Sequence, residues 1–294
     1  MTFARQDHES GLDTLPRMPS WVTSARSETL EDVAFLSGSA LNHLHLVLGR
    51  VEVPHALLRD RLALRAAEAC VAFSGRSERA RELRDAVHLL RPGDLPGPAG
   101  ETCLVWRRAV ERSLSIKALG RALPSLEPGQ IATWLDAGQG APVSRAEMVL
   151  EAVLTEAPRA EVPALILADA ALAKAFGWDH LVPLLAGGLK RADLRKRGDD
   201  LHLACHRALI ASAVEAVRQA SDLARRAAHL KAVAPKLRAK GAGEAVEIFL
   251  TRDAVVPSAL PLPDRAARRL CDRLVELGAV RELTGRDTFR LYGV

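Results

Sequence analysis

A chain of 294 residues with 48% hydrophobic and 26% charged residues has the balance of a folded globular protein and excludes intrinsic disorder. Aromatic residues make up only 4%, with a single Tyr, and β-branched runs are scarce beside Leu and Ala, which favours packed helices over a sandwich or barrel. The formal net charge of +5 is unevenly spread: residues 1–185 carry −3, residues 186–240 carry +8 and residues 241–294 are neutral.

Residues 1–26 are polar, hold Pro16 and Pro19 and lack the apolar core of a secretory signal; a flexible arm is expected. Ser27 and Thr29 followed by Asp32 predict a helix start, after which Leu30, Val33, Leu36, Ala40 and Leu44 share a face. Pro54 opens the next helix, where its missing N–H costs nothing, and Gly75 closes it. A third helix is predicted over Ser77–Leu90. The run RPGDLPGPAG, residues 91–100, then predicts a loop without regular structure.

Helices resume over Thr102–Leu114 and near Gly129–Ala137. Ser144 and Glu147 predict a capping box for a helix through Thr155, which Pro158 stops. The most apolar stretch, Val162–Phe176 closed by Gly177, reads as a buried helix; it carries Asp169 and is too short to span a bilayer. RADLRKRGDD, residues 191–200, reads as an exposed break. A helix of about thirty residues between caps then runs from Asp200 towards Pro235. No internal repeat is evident.

The last part differs in kind. A helix near Gly243–Arg252, a short one near Ala254–Leu260 and a third over Arg265–Leu277 precede VREL and TFRLY, which flank the turn TGRD, residues 284–287. Three helices and a hairpin predict a winged helix-turn-helix. The expected fold is all-α: a multi-helix domain over residues 27–235, then a winged helix-turn-helix over 241–294 with a small β-hairpin wing.

On the predicted third helix of that module, Ala267, Leu270, Cys271, Leu274 and Leu277 form the packing face. Arg265, Arg268, Arg269 and Arg273 fall on the other side with Asp272 and Glu276. A reading helix enters the major groove by its N-terminal half, and Arg suits both phosphate and guanine. Arg286 at the hairpin tip and Arg290 on its second strand stand where a wing contacts the backbone. Asp272, Glu276 and Asp287 weigh against this reading, since they leave the module neutral.

Two basic clusters precede it: Lys190, Arg191, Arg195, Lys196 and Arg197, then Arg225, Arg226, Lys231, Lys236, Arg238 and Lys240. The second leads into the module and would extend a phosphate-tracking surface, although a solvated helix face accounts for both clusters as well. No aromatics alternate with them, so a base-stacking single-strand site is not expected.

His202 and His206 sit at i and i+4 with Cys205 between them, a spacing that presents two imidazoles to one ion. The glutamate of HExxH is absent and two ligands do not make a site, so no metal is assigned. Asp169 reads as a capped or Arg-paired structural carboxylate. No nucleophile elbow, P-loop or dinucleotide fingerprint is present, so no catalytic residue and no cofactor is assigned. Cys70, Cys103, Cys205 and Cys271 stand far apart and read as reduced thiols of a cytoplasmic protein with no membrane contact.

The phrases LRDRLALRAAEA (58–69), ELRDAVHLLRPGDLPGPAG (82–100), VAPKLRAKGAG (233–243) and DRAARRLCDRLVELGAVRELTGRDTFRLYG (264–293) resemble an uncharacterised bacterial family, domain of unknown function 1403. That resemblance spans nearly the whole chain and carries no activity to transfer. Residues 58–87 and the end GAVRELTGRDTFRLYGV are also similar to parts of Fic-like proteins that carry a C-terminal DNA-binding helix-turn-helix. The Fic signature HPFxxGNGR is absent, so this likeness implies the winged module and not AMP transfer. The expectation is a non-enzymatic DNA-associated or regulatory protein whose partner is double-stranded DNA. The alternatives are an interaction scaffold with a protein partner or self-association, and an enzyme of unrecognised type.

Overall fold

The computed structural model of the chain describes residues 15–24, 29–91, 93–237, 240–286 and 288–294. Thirteen α-helices, three 3₁₀ turns and one two-stranded antiparallel sheet make up its regular structure among these residues, an all-α architecture. None of the described helices is long and apolar enough to cross a membrane.

Most of the expected arm (1–14, 25 and 26), together with Ser27, lies outside the described residues. The rest of it packs. Leu15 and Val22 are buried, the latter on α1 (Ser20–Ser24), His43 Nε2 donates to the Pro16 carbonyl at 3.0 Å, and Trp21 stacks on Phe35. The helix that follows, α2 (Leu30–Leu48), starts as its sequence dictates, with Thr29 and Asp32 in a reciprocal capping box. Its stripe Val33, Leu36, Ala40 and Leu44 is buried, whereas Leu30 stays largely exposed.

Next come α3 (His55–Phe73) and α4 (Ala80–His88). The predicted loop 91–100 is corrected at its end, because α5 (Gly97–Glu111) already begins there. Pro98 sits in the first turn, where no N–H is needed, and Gly100 lets α4 approach. A Cβ at residue 100 would meet Pro96 Cβ at 2.7 Å and Ala86 Cβ at 3.2 Å. On the other face Trp106 is fully buried and its Nε1 donates to Cys70 Sγ at 3.4 Å.

Two short helices, α6 (Ile116–Ala122) and α7 (Pro128–Asp136), lead to the hairpin of α8 (Pro142–Glu156) and α9 (Glu161–Phe176). The expected Ser144–Glu147 capping box does not form: α8 starts at Pro142 with Ala141 as its cap, so Glu147 lies inside the helix and turns inward. Helix α9 is buried without a break from Ala164 to Ala173, as its all-round apolar sequence requires. Its Asp169 accepts the Leu184 and Leu185 N–H groups at 3.0 and 3.1 Å and so anchors the first turn of α10 (Leu185–Gly188).

The long helix α11 (Gly198–Val233) lies along α2 and touches α8, α10 and α3. After it come α12 (Ala242–Thr251), a single 3₁₀ turn over Pro257–Ala259 and α13 (Asp264–Glu276). The expected hairpin is redrawn. Strands β1 (Arg281–Glu282) and β2 (Tyr292–Gly293) pair Arg281 with Gly293 and Glu282 with Tyr292, so residues 288–291 belong to the connection. Val255 bridges Tyr292 from the other side, with Val255 N to Tyr292 O at 2.8 Å and the return bond at 2.9 Å. Most of the buried apolar side chains form one cluster that runs from Leu15 to Val294.

Candidate nucleic-acid interface

Helix α13 is strongly two-sided. Ala267, Leu270, Cys271 and Leu274 are buried against the preceding 3₁₀ turn and β1, and that packing sets which side chains face outward. Arg265, Arg268 and Arg269 are exposed and make no hydrogen bond or ion pair among the described residues. Arg273, also exposed, pairs with Glu276 one turn on at 2.9 Å, and such a surface pair contributes little. Asp264 and Asp272 lie exposed on the same helix.

The connection between β1 and β2 is built around Glu282. Its carboxylate accepts the Thr284 and Gly285 N–H groups, each at 2.7 Å, and the Thr284 hydroxyl. Burial opposes its ionisation, but these bonds outweigh burial and hold Glu282 below the usual carboxylate range. Arg286 is half-buried in an ion pair with Asp85 of α4, so it ties the connection to the helical part. Arg290 is exposed and its Nε donates to the Arg286 carbonyl at 2.9 Å. Between them Phe289 adopts φ 54° and stands 66% exposed; Asp287 lies outside the described residues.

The tertiary structure adds Arg281, which sequence reasoning missed. It meets Arg225, Arg226 and His229 of α11 in a groove of about 270 Å³. Burial first, then the neighbouring Arg226 and Arg61, push its guanidinium below the ordinary value. Both Arg225 and Arg226 lean on Asp222, while His229 Nε2 donates to the Leu277 carbonyl at 3.0 Å and docks α11 on the end of α13. No spacing rule joins residue 281 to residues 225–229, so only proximity reveals it. Of the other basic residues, Lys196 pairs with Asp193, and Arg238 lies outside the described residues.

The histidine pair meets in a different way from a shared ion. His202 and His206 approach through their Nε2 atoms at 3.1 Å, Ser37 Oγ lies 2.6 Å from His206 Nδ1, and Glu147 lies 3.8 Å from His202 Nδ1. This polar chain crosses the contact of α2, α11 and α8. Ser37 is fully buried, so no substrate reaches its hydroxyl. Among the described residues no group of three or more His, Cys, Asp or Glu is arranged to hold a metal ion. The four cysteines are free and buried; burial pushes Cys70, Cys103 and Cys271 up to about 12 and raises Cys205 as well.

No curated protein matches the chain. A family model described as a protein of unknown function, DUF1403, matches residues 6–294. With the match running through every described element from α1 to β2, the chain belongs to the DUF1403 family.

Proposed function

We propose that residues 241–294 form a winged helix-turn-helix docked on a helical unit of residues 27–235, and that the module binds duplex DNA. The observation that carries this is the backbone pairing of Val255 with Tyr292. Through this isolated bridge the segment between α12 and α13 lies beside β2, in the order Val255, β2, β1, while α13 packs against β1 and the 3₁₀ turn. A helix held this way presents an outer face, and that face carries Arg265, Arg268 and Arg269 without intramolecular partners among the described residues. These three enter the major groove, Arg273 adds charge beside them, and Arg290 grips the backbone. Arg286 acts through its pair with Asp85, setting the wing's orientation.

The test is fluorescence anisotropy of the full chain with mixed-sequence duplex DNA over a salt series. Binding falls steeply with salt, and reversing Arg268 and Arg269 to Glu weakens it by more than about a hundredfold while the circular dichroism spectrum is retained. A folded double variant that binds like the parent overturns the reading. The second reading, a protein-contact module, draws on Phe289, whose exposed ring at the wing is an apolar anchor of the kind interfaces use. Stable co-purification of a partner without nucleic acid favours it.

A further inference from the structure

A cleft of about 410 Å³ lies away from α13, between the end of α2, the start of α3 and the segment that follows α9. Six side chains give it its chemistry: His45, His55, Arg59, Trp178, Asp179 and His180. Its back wall is fixed by backbone bonds. Leu114 N donates to the Asp179 carbonyl at 2.7 Å, and Ser113 and His180 form an isolated antiparallel bridge, so His180 is held in register with the end of α5. Trp178 stacks on Phe176 with ring centroids 5.0 Å apart. Its Nε1 donates to His45 Nδ1 at 2.9 Å, which leaves the proton of a neutral His45 on Nε2.

Arg59 is the uncompensated group. The next two arginines of α3 each have a carboxylate, Arg61 in Asp253 and Arg65 in Glu215. Arg59 is half-buried, its Nε donates to the Val110 carbonyl at 3.3 Å, and no ion pair to it exists among the described residues. Burial pushes its guanidinium below the ordinary value. His55 and His180 are both held below the ordinary imidazole value, first by burial and then by Arg59. Asp179 opposes this at His180, and the Arg50 backbone opposes it at His55. A cationic side chain taken partly out of water and flanked by two imidazoles is costly unless an anion completes it.

We infer that this cleft binds a phosphomonoester, with Arg59, His55 and His180 holding the phosphate and Trp178 covering the organic part. A dianion matches one fixed and two inducible positive charges, and the guanidinium offers a phosphate two parallel donors. The volume exceeds what inorganic phosphate alone fills and lies in the range of small-molecule sites. The anion draws protons onto His55 and His180, so binding is tighter at low pH. Asp179 is the one carboxylate of the lining, and His45 stays committed to Trp178. On the far side of Arg59 a second cleft holds Arg107 paired with Asp60, together with Arg108, Arg252 and Glu111.

The test is isothermal titration calorimetry of the full chain with a nucleoside 5′-monophosphate, the same nucleoside without phosphate, and inorganic phosphate. The monophosphate binds and the nucleoside does not, with net proton uptake seen as a dependence of the heat on buffer ionisation and affinity falling between about pH 6 and 8. Arg59→Ala and His180→Gln each weaken binding about tenfold or more. Arg108→Ala, in the second cleft only, and the Arg268/Arg269 reversal leave it unchanged. Inorganic phosphate binding as tightly as the monophosphate identifies the free anion as the ligand of the same subsite. Absence of phosphate-dependent binding in the parent overturns the inference, as does unchanged binding by folded Arg59→Ala and His180→Gln. Loss of binding in the Arg268/Arg269 variant overturns it too, by placing the anion on α13.

Discussion

Arg84 on α4 grips the carboxylate of Asp253, 169 residues further along the chain, with Nε at 2.5 Å and Nη2 at 3.1 Å from its two oxygens. Arg61 of α3 reaches the same carboxylate, and the Asp253 N–H donates to Asp60 at 2.9 Å, which in turn pairs with Arg107. Five side chains from α3, α4, α5 and the end of α12 thus lock residues 242–294 onto the rest of the molecule. Burial opposes ionisation of Asp253, but the hydrogen bond from Arg84 and the charges of Arg61 and Arg84 prevail and hold its pKa below the usual value.

Replacing Asp253 with Ala leaves Arg61 and Arg84, only 18% and 14% exposed, without their counter-charge. The expected cost is about 3–5 kcal/mol in urea denaturation, because a buried pair broken on one side strands the other charge. The depressed pKa adds a pH signature. Its stabilisation is complete above the ordinary carboxylate value and is lost as pH falls through the lowered one. The parent therefore loses stability below about pH 4, and Asp253→Asn shows a smaller loss over that range.

Gly188 and Gly187 are neighbours on α10 with opposite tolerance. A Cβ at Gly188 would meet the Ala208 backbone of α11, with O at 2.3 Å and Cα at 2.7 Å, while one at Gly187 makes only ordinary contact with Arg65 and Ser212. Gly188→Ala must push two helices apart and is expected to cost about 3 kcal/mol or more by overpacking. Gly187→Ala changes stability by less than about 1 kcal/mol. Equal melting temperatures for the two variants contradict the close approach of α10 to α11.

Two groups in the chain Glu147, His202, His206 and Ser37 have displaced pKa values, Glu147 at one end and His206 beside Ser37 at the other. Glu147 is pushed up to about 7, by burial first and then by Glu151 and Asp199. His206 is pulled down to about 4 by burial and then by His202. A raised carboxylate contributes fully below its ordinary value and loses that contribution as pH rises through about 7. A lowered imidazole contributes fully above its ordinary value and loses it as pH falls through about 4. Glu147→Gln removes only the first effect, so its stability relative to the parent rises between pH 5 and 8 by about 1–2 kcal/mol. A constant difference across that range in chemical denaturation excludes Glu147 as the titrating group.

What could be read in advance was local. Thr29 and Asp32 lie three residues apart and cap the same turn, and Val33, Leu36, Ala40 and Leu44 recur at helical spacing, so α2 was legible without any partner. The start of α5 was not, because Gly and Pro in residues 91–100 signal a break, whereas Gly100 answers to Ala86 on another helix. Ser144 and Glu147 had the spacing of a capping box, yet Pro142 two residues earlier set the helix start and freed Glu147 for His202. The arginine face of α13 followed from its periodicity; the binding of Arg286 to Asp85 and the nearness of Arg281 to Arg226 did not.

Local sequence set most of the longer helices, their buried stripes and the amphipathic α13, but not the short α1, α6 and α10, because a helix of several turns is specified by hydrogen bonds and side chains three or four residues apart. Tertiary structure alone decided that Asp253 joins Arg61 and Arg84, that Val255 pairs with Tyr292, and that Arg59 meets His55 and His180 with no ion pair of its own among the described residues. Each of these joins residues that local spacing does not relate, or leaves a charge whose neighbours are set by packing. Burial then fixes what such a charge costs, and burial is a property of the assembled core.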